Sequence, residues 1–205
     1  MRYGMVIDMR RCVGCHACTA ACKQKNATPP GVFWRKVMIK EEGKFPNSAP
    51  VSMPLLCMHC GEPACVDVCP TGASYKTEEG PVLIDHDKCI GCRACIVACP
   101  YDARTSLKEI NEYYPGMGKT AYEKAREGEH TIGTASKCTF CVDRILEGKD
   151  PLCVHTCIAK AAVFGDLDDP ASEVSKRILQ HDAQPLLPEM GTSPSVFYIQ
   201  GKSLR

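Results

Sequence analysis

The amino-acid sequence predicts an α+β fold of short strands, short helices and long loops, organised around four groups of cysteines. All 16 cysteines of the 205-residue chain fall into four groups of four. Short apolar runs typical of strands precede two groups, YGMVIDMRR before Cys12 and PVLIDHDK before Cys89. In every group the last cysteine follows the third after three residues, about one helical turn further on. After the loops of the first and third groups, a short helix that carries this last cysteine is predicted.

The four groups are related in spacing. They comprise Cys12, Cys15, Cys18 and Cys22; Cys57, Cys60, Cys65 and Cys69; Cys89, Cys92, Cys95 and Cys99; and Cys138, Cys141, Cys153 and Cys157. The first and third share C-x2-C-x2-C-x3-C, and the similar segments RCVGCHACTAACK and KCIGCRACIVACP indicate an internal repeat. The second group has C-x2-C-x4-C-x3-C, and the fourth has eleven residues between its second and third cysteines.

This spacing is typical of iron–sulfur clusters. Three thiolates in one short loop can hold three corners of a 4Fe-4S cluster, and in bacterial two-cluster ferredoxins the next cysteine binds the other cluster of the pair. Four groups then make two ferredoxin-like modules, and four 4Fe-4S clusters use all 16 thiolates. Zinc, disulfides and a thioredoxin-type redox pair are weaker interpretations. Zinc sites do not need this run, no secretory signal supports oxidation, and redox catalysis needs one C-x-x-C motif.

Composition excludes several other classes of protein. With 25 basic and 24 acidic side chains the formal net charge is +1, so no basic excess favours nucleic acid. No apolar run approaches the roughly 18 residues of a membrane span, which predicts no direct membrane insertion. The absence of a signal peptide predicts a cytoplasmic protein, with export as cargo on a signal-bearing partner and peripheral attachment through a partner left open.

Other residues inside the groups could support clusters. The histidines in the groups are His16, His59 and His155. They are expected to pack or donate hydrogen bonds, because the sixteen cysteines already supply every ligand that four clusters need. Basic residues near cysteines either offset cluster charge or form solvated surface: Lys23, Arg93, Lys137 and Arg144. Gly14, Gly61 and Gly91 lie in the ligand loops, where the missing side chain lets backbone amides approach sulfur.

The segments between the groups carry their own patterns. VFWRKVMIKEE, GKFPNSAP and VSMPLL predict a hairpin between the first two groups. Residues 103–132 are charged and predict a surface insertion with one short helix around KTAYEKAREG. After the last group, AVFGDLDD predicts a strand and turn, and DDPASEVSKRILQH a helix. The extended tail either closes the core or lies across a partner.

The sequence resembles the four-cluster iron–sulfur electron-transfer (beta) subunits of the dimethyl sulfoxide reductase family of molybdopterin oxidoreductases. The resemblance covers nearly the whole chain and rests on RCVGCHACTAAC, CMHCGEPACVDVCP, CIGCRACIVACPY and KCTFCVDRILEGKDPLCVHTC. GDLDDPASEVS and SPSVFYI are similar to the branch serving polysulfide, thiosulfate and arsenate reductases. Ile158 departs from the family, which commonly has proline there, and a looser exit turn is expected.

The resemblance implies two interleaved modules and a ligand set for each cluster. Cluster 1 takes Cys12, Cys15, Cys18 and Cys157; cluster 2 takes Cys22, Cys138, Cys141 and Cys153; cluster 3 takes Cys57, Cys60, Cys65 and Cys99; cluster 4 takes Cys69, Cys89, Cys92 and Cys95. The expected divisions are residues 1–26 with 133–165 for the first module, 54–102 for the second, 27–53 for the hairpin, 103–132 for the surface insertion and 166–205 for the helix and tail.

The implied function is single-electron transfer between a molybdopterin catalytic subunit and an external donor or acceptor, either a membrane quinone-reactive subunit or a soluble carrier. No catalytic constellation is recognisable, so the chain is expected to be no enzyme itself. Two alternatives stay open. One is the small subunit of a non-respiratory molybdopterin hydroxyl-transferase or dehydroxylase, and the other is a non-redox interaction module stabilised by metal.

Overall fold

The computed structural model describes residues 1–109 and 111–201. The strands, in chain order, are β1 Tyr3–Asp8, β2 Lys36–Glu42, β3 Ala49–Leu55, β4 Ser74–Lys76, β5 Val82–Ile84, β6 Arg104–Ser106, β7 Ala135–Lys137, β8 Ala162–Asp166, β9 Gln184–Pro185 and β10 Val196–Ile199. The helices are α1 Ala17–Asn26, α2 Ala64–Asp67, α3 Ala94–Val97, α4 Ala121–Ala125, α5 Val142–Leu146, α6 Leu152–His155 and α7 Glu173–His181, and a 3₁₀ turn covers Pro188–Met190. Short strands, short helices and long loops are thus present, as the sequence predicts.

A four-stranded sheet in the order β8, β1, β10, β9 forms the centre of the molecule. Strand β1 runs parallel to β10 and antiparallel to β8. Both faces of β1 are covered: Met5 and Ile7 pack into the larger core, while Val6 packs with Val174 of α7 on the other face. This explains why YGMVID reads as a nearly continuous apolar run rather than an alternating one.

Helix α7 covers one face of that sheet. It begins at Glu173, later than the predicted segment suggests, because the hydroxyl of Ser172 accepts the amide N–H of Ser175 at 3.1 Å and caps the first turn. Residues before the cap turn back instead, with the Ser172 amide donating to the carbonyl of Asp169. The acidic start and the basic end, Glu173 and His181, suit the helix dipole.

The C-terminal tail closes the core, so of the two positions predicted for it, in the core or across a partner, the structure has the first. Val196 and Tyr198 on β10 are fully buried beside β1. The Tyr198 hydroxyl donates to the carbonyl oxygen of Pro54 at 2.9 Å, which links the central sheet to β3.

Three two-stranded sheets surround the cysteine groups. The predicted hairpin is present as β2 and β3, paired in register from Lys36 with Leu55 to Glu42 with Ala49. Strands β4 and β5 form a second pair, and β6 and β7 a third. The segment 103–132 therefore starts with a buried strand, since Arg104 and Leu107 are inaccessible, and its exposed part comes later, around the confirmed short helix α4.

Short helices follow the ligand loops, with one correction. The last cysteine of the third group was expected inside its helix, but α3 ends at Val97 and Cys99 follows it. The amide of Cys99 donates to the carbonyl of Ile96, and Cys69 and Cys157 close the same turn after α2 and α6. Single-turn helices are too short to include this residue, and Cys22 lies within a helix because α1 is longer.

The exit turn after the fourth group forms despite Ile158. The Lys160 amide donates to the Cys157 carbonyl at 3.0 Å, as Gly72 does to Cys69 and Asp102 to Cys99. The expectation of a looser exit turn is therefore wrong, because the turn keeps its backbone hydrogen bond. Within the described residues, no helix is long and apolar enough to cross a membrane.

Candidate metal centres

The two repeated ligand loops share one backbone conformation. Gly14 and Gly91 have φ of 68° and 69°, and His16 and Arg93, two residues later, have φ of 58° and 64°. These left-handed residues reverse the chain between cysteines, and α1 and α3 begin directly after them. The internal repeat seen in the sequence is therefore also a repeat of structure.

Three cavities are lined by sets of cysteines. One, with about 390 Å³ of empty space including the part open to solvent, is lined by Cys69, Cys89, Cys92 and Cys95. A second, of about 340 Å³, is lined by Cys22, Cys138, Cys141 and Cys153. A third, of about 430 Å³, is lined by Cys12, Cys15, Cys18 and Cys157, and also by Cys153 of the second set. Each set joins residues from two different groups.

The remaining four cysteines also lie near one another. The pKa of the Cys60 thiol is raised to about 12, mainly by burial, although a hydrogen bond from Thr192 lowers it. It is raised further by the neighbouring thiols of Cys57, Cys65 and Cys99. The same neighbours, Cys57 and Cys99, help to raise the pKa of Cys65, after burial. The fourth set therefore joins the second group to the last cysteine of the third.

These sites fit clusters better than single ions or disulfides. All sixteen cysteines carry free thiols. Zinc holds its sulfur ligands at about 2.3 Å, so four thiolates would converge on one point with no cavity between them. Within the described part of the chain, no three His, Cys, Asp or Glu side chains come together closely enough to hold a single metal ion. A ring of thiols that surrounds a cavity instead of meeting at one point suits a group of several atoms.

Most of the buried thiols are poor acids in the protein alone. Burial raises the pKa of Cys22 to about 12 and that of Cys153 to about 11. Cys69 differs: burial raises its pKa, but backbone amides, led by Ser74 at 3.3 Å, lower it further, so the net shift is downward. Metal binding must therefore remove protons from thiols such as Cys22 and Cys153, and the thiolate charge then needs compensation.

Comparison with known proteins finds iron–sulfur domains and iron–sulfur subunits. Two models of the 4Fe-4S dicluster domain match the chain. One matches residues 50–114 and 108–167, and the other matches residues 11–73. The chain is 45% identical to one subunit of the selenate reductase of Mesobacillus selenatarsenatis, over 95% of this chain and 70% of the relative. It is 40% identical to the arsenate respiratory reductase iron–sulfur subunit of a Shewanella species, over 98% and 97%. One subunit of the tetrathionate reductase of Salmonella typhimurium is 42% identical, over 97% and 72%.

The chain belongs to this family of iron–sulfur subunits. The resemblance drawn from the cysteine motifs is thereby confirmed. As a member, the iron–sulfur subunit functions in electron transfer, and its dicluster domains and sixteen cysteines correspond to four 4Fe-4S clusters.

The iron–sulfur subunit also contains buried cations that the sequence pattern did not reveal. Arg35 and Arg104 are each only 3% exposed, although neither lies within a cysteine group. Of the basic residues considered from the sequence, Lys137 is buried, and its ammonium group donates to the carbonyls of Val82 and Cys138. The sequence carries no signal that marks these arginines: Arg35 stands next to Lys36 just before β2, and Arg104 is the first residue of β6.

The other basic residues from the sequence have different roles. The half-buried Lys23 ammonium donates to the carbonyls of Thr28, Pro29 and Val32, which holds the chain after α1. Arg93 is exposed on the edge of the cavity that contains Cys92. The Arg144 guanidinium donates to the carbonyl of Asp150 at the surface.

His59 packs in the interior of the protein, one of the roles expected for it from the sequence. Its ring stacks on Phe140 with centroids 3.7 Å apart, and its Nδ1 accepts the amide N–H of Val82 at 3.0 Å. Burial, followed by the charges of Lys137 and Arg104, holds its pKa well below the usual value. The neutral ring joins the second cysteine group to the fourth.

Proposed function

We propose that this subunit passes single electrons along four 4Fe-4S clusters between a molybdopterin-containing catalytic subunit and an outer redox partner, and catalyses no reaction itself. The observation that carries the proposal is the sorting of the sixteen thiols into four sets of four. When bound, the clusters supply one-electron transfer. Because the thiolates would occupy the iron corners, no open coordination position remains for a substrate.

The ligand sets proposed are the four implied by the resemblance. Three of them are supported by the cavities that these cysteines line. The set of Cys57, Cys60, Cys65 and Cys99 is supported by the mutual influence of its thiols.

We further propose that the two modules are interleaved along the chain. Helix α1 of the first group packs against α6 of the fourth, and α2 of the second packs against α3 of the third. The outer groups thus share one module and enclose the inner pair in the sequence. This arrangement agrees with cavities that each combine cysteines from two groups.

The clusters would follow one another in a line from 1 to 4. Cys153 borders both cavities of the first module. Burial raises the pKa of Cys138 most, followed by the charges of Cys22, Cys153 and Cys57. Because Cys57 belongs to the second module, its influence on Cys138 supports a meeting of the two modules at these thiols. The stacked rings of His59 and Phe140 lie at the same junction.

The two ends of this line have accessible edges suited to partners. Cys15 and Cys92 are the exposed members of the sixteen cysteines, and they belong to the first and fourth sets. Beside the first set Ile158 is 73% exposed, and beside the fourth Val97 is 88% exposed. Apolar side chains around an accessible ligand suit docking of a protein. By the resemblance, the first end faces the catalytic subunit.

Metal and sulfide analysis after anaerobic purification tests the function directly. We expect about sixteen irons and sixteen acid-labile sulfides per chain, with electron paramagnetic resonance signals on reduction. Zinc in place of iron, at about four ions per chain, would contradict it. Full iron without any reducible signal would favour the non-redox module instead. Identifying the subunit that co-purifies tests the molybdopterin partner separately.

A further inference from the structure

We propose that Arg35 and Arg104 set the reduction potentials of the two cluster pairs, each buried guanidinium lying between the two clusters of one module and raising both potentials. The proposal rests on the ligand sets given under the proposed function. It concerns two residues outside the cysteine groups that ligate nothing.

Arg35 borders both cluster sites of the first module. It lines the cavity of Cys12, Cys15, Cys18 and Cys157 and also the cavity of Cys22, Cys138, Cys141 and Cys153. The side chain comes from the residue just before β2, so the hairpin carries it into the interior. Its Nη1 lies 3.8 Å from the Met5 sulfur, and its Nε has no hydrogen-bond partner among the described residues.

Arg104 occupies the corresponding place in the second module. Its Nη2 donates to the Cys65 sulfur at 2.9 Å, and its Nη1 to the Ser74 hydroxyl at 2.7 Å. Burial lowers its pKa, but the Cys65 and Cys95 thiols raise it more, so the net shift is upward. Cys65 belongs to the third ligand set, while Ser74 lines the cavity of the fourth set and its amide N–H donates to the Cys69 sulfur, so one guanidinium lies beside both sites.

Neither guanidinium forms an ion pair with a carboxylate in the described parts of the chain. A buried cation without a counter-charge is strongly unfavourable, and arginine does not lose its proton to relieve this. Negative charge on the two neighbouring clusters would supply the missing partner. The buried position of both arginines is then explained by the clusters and not by the apoprotein.

A fixed positive charge favours the more negative, reduced form of a neighbouring redox centre. Since each arginine lies between two sites, its loss should lower two potentials together and leave the other module nearly unchanged. Because the guanidinium stays charged at all working pH values, this contribution should not vary with pH.

The test is a redox titration of the cluster-loaded full chain, followed by electron paramagnetic resonance. The variants are Arg35→Gln and Arg104→Gln, which remove charge but keep donors, and Arg35→Lys and Arg104→Lys, which keep charge. Arg177→Gln, which removes a cation paired with Glu173 on α7, is the matched control. Cys92→Ser identifies the signals of cluster 4.

At a fixed applied potential, Arg35→Gln should lower the reduced-to-oxidised ratio of both first-module clusters at least tenfold, about 59 mV for one electron. Arg104→Gln should do the same for the second module only. The lysine variants should stay within about threefold of the wild-type ratio, and the control should not change it. Loss of iron from a glutamine variant but not from its lysine counterpart would support the same charge-balancing role.

The proposal would be overturned by full iron with unchanged potentials in the glutamine variants, by equal shifts in all four clusters, or by equal effects of glutamine and lysine. Loss of iron from both variants at one site would also overturn it, because charge would not be the property that matters. A wild-type chain without sixteen irons would instead contradict the proposed function, which keeps the two failures distinct.

Discussion

Gly91 and Gly14 occupy equivalent positions in the repeated ligand loops, yet their surroundings differ. A Cβ at Gly91 would overlap the backbone carbonyl oxygen of Gly133, which cannot move without shifting the segment before β7. A Cβ at Gly14 would lie 2.7 Å from the Ser52 hydroxyl, a side chain that can rotate. Both residues have a positive φ, so an alanine is strained at either site and the difference lies in the neighbour.

We therefore expect Gly91→Ala to lose cluster 4, with iron falling from about sixteen to about twelve per chain, and Gly14→Ala to retain more of its cluster. Iron and sulfide analysis measures this. Gly128→Ala is the control, because it has the same kind of φ and open space around it. Equal iron in Gly91→Ala and Gly128→Ala would show that the carbonyl contact does not constrain the loop.

At the scale of elements, β10 connects the tail to the ligand-bearing part of the molecule. Its Tyr198 hydroxyl is buried and reaches the Pro54 carbonyl of β3, close to the start of the second cysteine group. A strand distant in sequence thus positions the entry to a ligand loop.

Tyr198→Phe removes that hydrogen bond and leaves the Pro54 carbonyl without its donor. The expected loss is about 1–2 kcal/mol of unfolding free energy. For a chain of this size the melting temperature of the anaerobic holoprotein should fall by about 2–8 °C. Tyr114→Phe, at an exposed position, should leave it unchanged. Identical melting of both variants would mean that the tail contributes nothing to stability through this bond.

At the scale of the whole molecule, the modules should assemble separately. Cys92→Ser removes a ligand proposed for cluster 4 and should leave the first module, about eight irons, largely intact. The supporting observation is that α1 packs with α6 and α2 with α3, each within one proposed module. Iron content and the surviving paramagnetic signals report the outcome, and loss of all four clusters in equal measure would show that the modules depend on each other.

The direction of the chain of clusters can be tested in the complex with the catalytic partner. Cys69→Ser should block exchange with an outer donor or acceptor but leave the partner able to exchange electrons with cluster 1. Cys12→Ser should isolate the partner while the distal clusters still respond to an external dye. Reduction kinetics measured from both sides distinguish these results. A complex with Cys69 against the partner and Cys12 remote from it would reverse the polarity.

Local sequence patterns are sufficient to predict the metal chemistry of this protein and the elements around its ligand loops. Cysteines two or three residues apart, with a glycine such as Gly14 between them, specify a ligand loop through short-range geometry alone. The strand before each repeated loop, the hairpin of β2 and β3 and the helix α7 follow from equally local patterns of apolar, turn and capping residues.

Contacts between residues that are far apart in the chain depend on the fold as a whole. Cys157 comes to the loop of Cys12 across most of the chain, and β10 inserts beside β1 although the tail pattern allowed another outcome. Arg35 and Arg104 show the same limit most clearly. An isolated arginine reads as solvated surface, and its burial beside thiols depends on how whole strands pack, which no local pattern records.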